Sequence, residues 1–79
     1  MPRYFFDFRD DERRNCDADG MELANLDDVK KIAATSLAEI ALELLPYSSE
    51  RRLGVDVRDD KHRLVLTTEL TFKAVEASS

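Results

Sequence analysis

The stretch Leu26–Leu45, LDDVKKIAATSLAEIALELL, decides the fold because its apolar residues recur at the spacing of one helical face. That face consists of Val29, Ile32, Ala33, Ser36, Leu37, Ile40, Ala41 and Leu44. Asn25 supplies an N-cap side chain before the stretch, and Pro46 cannot continue the helical hydrogen bonds after it. The sequence therefore predicts one amphipathic helix over 26–45, whose apolar face needs a second layer to cover it.

The segments on either side of this helix alternate in polarity with the period of β-strands. The predicted strands are 3–9, 12–16, 52–58 and 64–73. The turn at 17–20 precedes the helix, with Gly20 free to take a positive φ. The order predicts an α+β fold, ββαββ, with one helix packed on one face of a small, mostly antiparallel four-stranded sheet. We place the aromatic first strand in the centre.

The length and composition indicate one small cytoplasmic domain. A chain of 79 residues holds a single core, and we expect 1–76 to form one α+β domain and 77–79 to fray. No apolar run approaches the roughly 18 to 20 residues of a membrane helix. The first residues lack the pattern of a secretion signal, and Cys16 is the only cysteine, as expected of a reduced cytoplasmic protein.

The opening Met1-Pro2-Arg3-Tyr4-Phe5-Phe6-Asp7 resembles that of a family of small uncharacterised bacterial proteins. The segment Asp17-x-Asp19-Gly20-x-Glu22-Leu23, the helix and the strand end Val57-Arg58-Asp59 extend the resemblance over almost the whole chain. It implies a bacterial cytoplasmic domain of unknown function and supplies no site residues. The layout is also similar to the antitoxin halves of some toxin–antitoxin pairs, an analogy of fold that does not determine function.

The motifs that carry chemistry are weak. His62 is the only histidine and lies in a polar turn, so neither a transition-metal cluster nor a Ser/His/Asp arrangement is indicated. The acidic turn at 17–20 lacks the further ligands of a calcium loop, and a plain turn is the better interpretation. We therefore expect no enzyme activity, no metal and no cofactor.

The sheet face that the helix does not cover is the first candidate interaction surface. It presents Arg3, Phe5, Arg9, Arg58 and Lys73, an aromatic side chain flanked by cations that could stack a nucleobase. Asp7, Asp56 and Glu69 interleave with them, so cross-strand ion pairs on a solvated face are the favoured interpretation. The net charge of −5 makes nucleic acid an unfavourable partner.

The back of the helix is the second candidate surface. Ala34, Ala38, Leu42 and Leu45 form a weak apolar strip away from the main apolar face. A few exposed small residues are normal on any protein, and a self-association surface is the sharper interpretation. We predict a non-catalytic domain that acts through protein–protein contact as a homodimer, any other protein partner being unknown. The alternative is a nucleic-acid-binding or antitoxin-like module that uses the open sheet face.

Overall fold

The computed structural model describes residues 1–11 and 13–77 and confirms the α+β fold, with one helix on one face of an antiparallel sheet. The strands are β1 Arg3–Arg9, β2 Arg14–Asn15, β3 Met21–Glu22, β4 Glu50–Arg58 and β5 Leu64–Lys73. The helix α1 spans Leu26–Leu44, and the 3₁₀ turn Leu45–Tyr47 follows it. Glu12 of the predicted second strand and Ser78 and Ser79 of the predicted tail lie outside the described residues.

The sheet has the order β2-β1-β4-β5, so the first strand is central as predicted. β3 pairs with β1 along the same edge as β2, and this short strand was not predicted. A strand of two residues is too short to show the alternation of polarity by which strands are recognised in a sequence. Within the described residues the sheet therefore has five strands rather than four.

The core lies between α1 and the helix-facing side of the sheet. Its buried apolar side chains are Tyr4, Val29, Ala33, Leu37, Ala41, Leu53, Val55 and Val57. The helix residues among them belong to the predicted apolar face. α1 packs over β4 and β5, so it covers one face of β4 and leaves Phe6 and Phe8 of β1 only half-buried. The middle of β4 is buried on its other face as well.

The helix begins and ends with side-chain hydrogen bonds. The Asp28 N–H donates to Asn25 Oδ1 at 2.9 Å, which confirms the predicted N-cap. At the other end Ser48 Oγ donates to the Leu44 carbonyl at 2.8 Å, where Pro46 converts the last turn to 3₁₀ geometry. The helix therefore ends one residue before the predicted Leu45. No helix of the described residues is long and apolar enough to span a membrane.

Two leucines on opposite sides of α1 test this packing. Leu37 is 7% exposed and Leu42 is 78% exposed. We expect Leu37→Asp to lower the free energy of unfolding by about 4 kcal/mol or more, because it removes core contacts and buries a charge. Leu42→Asp should cost less than about 1 kcal/mol. Urea denaturation followed by circular dichroism measures both, and equal losses would mean that the helix faces are wrongly assigned.

Candidate functional site

Two aspartates lie at the centre of the sheet face that α1 does not cover. Asp7 on β1 and Asp56 on β4 are directly opposite each other in the strand register. They are only 1% and 8% exposed. Like charges opposite each other destabilise a sheet, and a buried carboxylate needs partners that replace water. This face therefore depends on the cations around the two carboxylates.

Arg58 holds Asp7 with two hydrogen bonds. Its Nε lies 2.6 Å from Asp7 Oδ2, and its Nη2 donates to Oδ1 at 3.0 Å. The Asp17 N–H donates to the same Oδ1 at 3.0 Å. Burial acts to raise the pKa of Asp7, but these hydrogen bonds and the charges of Arg58 and Arg14 outweigh it and lower the pKa below 3.8. Asp7 is therefore a fixed anion.

Arg9 and Thr67 hold Asp56 in a similar way. Arg9 Nε donates to Asp56 Oδ2 at 3.0 Å, and the Thr67 hydroxyl donates to Oδ1. The Arg9 guanidinium lies directly over Gly54 and also donates to the Thr68 carbonyl at 3.2 Å. Burial acts to raise the pKa of Asp56, while the bonds from Thr67 and Arg9 lower it, and the net shift is downward.

Arg14 of β2 lies between the two carboxylates. Its Nη2 is 3.6 Å from Asp7 Oδ2 and 3.9 Å from Asp56 Oδ2. We call Asp7, Asp56, Arg9, Arg14 and Arg58 the arginine–aspartate network. This network supports the interpretation that the charged residues of the open face form ion pairs. The sequence analysis placed these pairs on a solvated face, whereas the structure buries the two carboxylates. The arginines come from β1, β2 and β4, so the network connects three strands.

Asp17 completes the edge of β1 between β2 and β3. Its Oδ2 accepts the Phe6 N–H at 3.2 Å, a β1 donor that neither short strand reaches. Its Oδ1 accepts the N–H groups of Asp19 and Gly20, which close the predicted turn, and Gly20 has the positive φ of 71°. Burial acts to raise the pKa of Asp17, but these three N–H donors lower it.

The structure brings only some of the predicted open-face residues together. The Arg58 guanidinium carbon lies 5.3 Å from the centre of the Phe5 ring, and Arg58 Nη1 is 3.0 Å from His62 Nδ1. Arg3 lies beside Phe5 at Gly20, where it bonds the Asp19 carbonyl.

The other two predicted residues lie apart from this cluster. Arg9 is beyond the two aspartates, and Lys73 is at the far end of β5, opposite Glu50. Three of the four predicted cations, Arg3, Arg9 and Arg58, pair with carboxylates of the same chain.

The predicted strip on the back of the helix is divided by the structure. Ala38 and Leu42 are exposed, while Leu45 is half-buried and packs against the core. A groove that the sequence analysis missed lies on another side of the helix end. It is open to solvent, has a volume of about 900 Å³ over Phe8, Ile40 and Leu44, and has a mainly acidic rim. It exists because α1 is centred over β4 and β5 and leaves Phe8 half covered.

The outer edge of β5 is a further feature that sequence reasoning missed. β5 is the last strand in the order and has ten residues, and no described strand pairs with its outer side. By contrast, the outer edge of β1 is occupied by β2, by Asp17 and by β3. An edge strand presents unpaired N–H and C=O groups that can accept another strand. The strand order needed to find this edge could not be read from residue patterns.

These features define a small α+β domain. Ion pairs neutralise the buried carboxylates on the sheet face opposite the helix, and no described strand pairs with the outer edge of β5. The chain belongs to the family described as Domain of unknown function (DUF6894), whose sequence model matches residues 3–71. This confirms the resemblance to an uncharacterised family. No match was found among curated proteins or among solved structures.

The lowered aspartate pKa values predict acid sensitivity. These carboxyl groups take up protons at a higher pH in the unfolded chain than in the folded chain. The stability that Asp7, Asp17 and Asp56 contribute is therefore present above pH 3.8 and is lost as the pH falls through the lowered pKa values of the folded state. We expect urea midpoints to be flat near neutral pH and to fall below about pH 4. Asp56→Asn should be less stable at neutral pH and show a shallower acid slope, and an unchanged slope would contradict this role.

Gly54→Ala should act through Arg9. A Cβ at Gly54 would occupy the space of the Arg9 guanidinium and displace it from Asp56. We expect a loss of about 1 to 3 kcal/mol in the free energy of unfolding. In an Arg9→Ala background the same change should cost much less, because the displaced contact is already gone. Strictly additive losses in the double-mutant cycle would show that the two residues act independently.

Proposed function

We propose that this chain is a non-catalytic bacterial cytoplasmic domain that acts through protein–protein contact, and that self-association is that contact. The outer edge of β5 is the observation that carries the proposal. The strand has ten residues, and every second residue of its regular ladder directs its backbone groups to this edge. Apolar side chains lie exposed near both ends: Leu64 is 61% and Val75 is 77% exposed. Long edge strands of this kind pair readily with other chains.

The other surfaces offer less for a partner. The open face has its central carboxylates satisfied by arginines of the same chain, and within the described residues no buried side-chain polar atom lacks a partner. On the helix back, Leu42 is the one large exposed apolar side chain, beside the smaller Ala38. The outer edge of β5 thus offers the longest row of backbone groups for a second chain.

The open face supports a role without catalysis. General acid–base chemistry near neutral pH needs a group that gains and loses a proton there. Asp7, Asp17 and Asp56 all have lowered pKa values and are held by fixed donors, so they remain ionised. Among the described residues no group of His, Cys, Asp and Glu side chains is arranged to hold a metal ion.

The nucleic-acid alternative has weaker support. A phosphate would have to compete with Asp56 for Arg9 and with Asp7 for Arg58. One side of the Phe5 ring is also covered by Arg58, which leaves less of it for a base to stack on. Protein contact is therefore the better supported of the two functions.

Sedimentation equilibrium over a concentration series tests self-association. The weight-average mass should rise from 9.1 kDa toward twice that value. Thr71→Pro should reduce this rise. Proline lacks an N–H group, and the N–H group of Thr71 points away from β4, so the change removes a donor from the outer edge and not from the pairing with β4. Thr71→Val keeps the N–H group and the branched shape, and it should associate like the unmodified chain. A mass of 9.1 kDa at every concentration would overturn the proposal.

A further inference from the structure

The hydrogen-bond phase of β5 shows which of its residues face outward. The Ala74 N–H donates to the Ser49 carbonyl at 2.7 Å, so Ala74 directs its backbone groups toward the β4 side. Facing residues in an antiparallel ladder alternate between bonded and non-bonded pairs. The register shift lies at Val57/Arg58, away from this part of the strand. The outward backbone groups are therefore those of Thr67, Glu69, Thr71 and Lys73.

The same residues carry the charges of the edge. Glu69, Thr71 and Lys73 are exposed on the open face, and the ion partner of Glu69 is Arg52 at 3.9 Å, a loose surface contact. Charges on an edge strand discourage pairing with strands that do not complement them. Glu69 and Lys73 are four residues apart and opposite in sign, so two copies of this strand can complement each other.

We propose that two copies of this chain pair β5 with β5, antiparallel, about a twofold axis between the two Thr71 residues. This rests on the self-association proposed above. In that register Glu69 of each copy lies opposite Lys73 of the other, and both are outward-facing positions. On the helix side Leu70 of each copy lies opposite Phe72 of the other. The two sheets become continuous, and both helices lie on the same face.

Other symmetric registers are less favourable. An axis at Glu69 places the two Glu69 carboxylates opposite each other, and an axis at Lys73 does the same with two ammonium groups. An axis at Leu70 places Glu69 opposite Thr71 and leaves both charges without a partner across the strands. If odd-numbered residues of one copy faced even-numbered residues of the other, outward backbone N–H and C=O groups would face residues whose own groups point toward β4. Within the strand Leu64–Lys73, the axis at Thr71 is the one that pairs Glu69 with an opposite charge, and it does so at two places.

Disulfide trapping tests the register directly. In a Cys16→Ser background, Thr71→Cys should form a covalent dimer under mild oxidation, because directly opposite Cα atoms are about 5.5 Å apart. Glu69→Cys is the matched control, since the two copies of that position would be separated by four residues, roughly 13 Å along the strand. Cross-linking at Glu69 instead of Thr71 would overturn the register.

Charge exchange provides the second test. Glu69→Lys and Lys73→Glu should each raise the dissociation constant about tenfold or more, because each creates two like-charged pairs. The double variant Glu69→Lys/Lys73→Glu should return close to the original affinity. Thermal melts confirm that each variant is folded. A chain that is monomeric throughout refutes self-association itself, whereas a dimer that shows neither Thr71 cross-linking nor rescue refutes only this register.

Discussion

The opposition of Asp7 and Asp56 is the constraint on which the rest of the sheet depends. A single helix covers one face, so the other face of β4 would meet water at its centre. Instead the two carboxylates are buried there and are neutralised by Arg9, Arg14 and Arg58. Arginine suits this position because its planar donors match a carboxylate and its charge is permanent. The network takes the place of a second apolar layer.

This arrangement leaves the open face few groups that could bind a ligand, which is why we propose the β5 edge as the contact surface. Cations that are bonded to internal carboxylates are poor phosphate ligands, and carboxylates with lowered pKa values stay ionised near neutral pH and are weak bases. The network also depends on β2 lying beside β1, since Arg14 comes from that strand. With β2, Asp17 and β3 along one side of β1, the free backbone groups of the sheet are concentrated on β5.

Much of the fold could be predicted because its long elements repeat a pattern. The helical face of α1 and the alternation of β1, β4 and β5 extend over enough residues to identify both element and face. β3 and the strand order depend on contacts between distant segments and leave no periodic signal. Alternation placed Asp7 on the open face correctly but could not show that Arg58, 51 residues away, would make it a buried position.

The candidate site, like the fold, could be predicted only in part. The residue types of the open face indicated ion pairs, and the alternation that places Asp7 and Asp56 among arginines on the predicted strands was the available signal. The residue types could not show that the arginine–aspartate network makes hydrogen bonds to Thr67 and Thr68 of β5. Beyond Thr67 the charged side chains of β5 are exposed, and Glu69 makes only a long contact with Arg52. The buried charges at the centre of the sheet are paired within the chain, whereas the charges at the β5 edge are exposed and, under the proposed self-association, would be the groups that select the second copy.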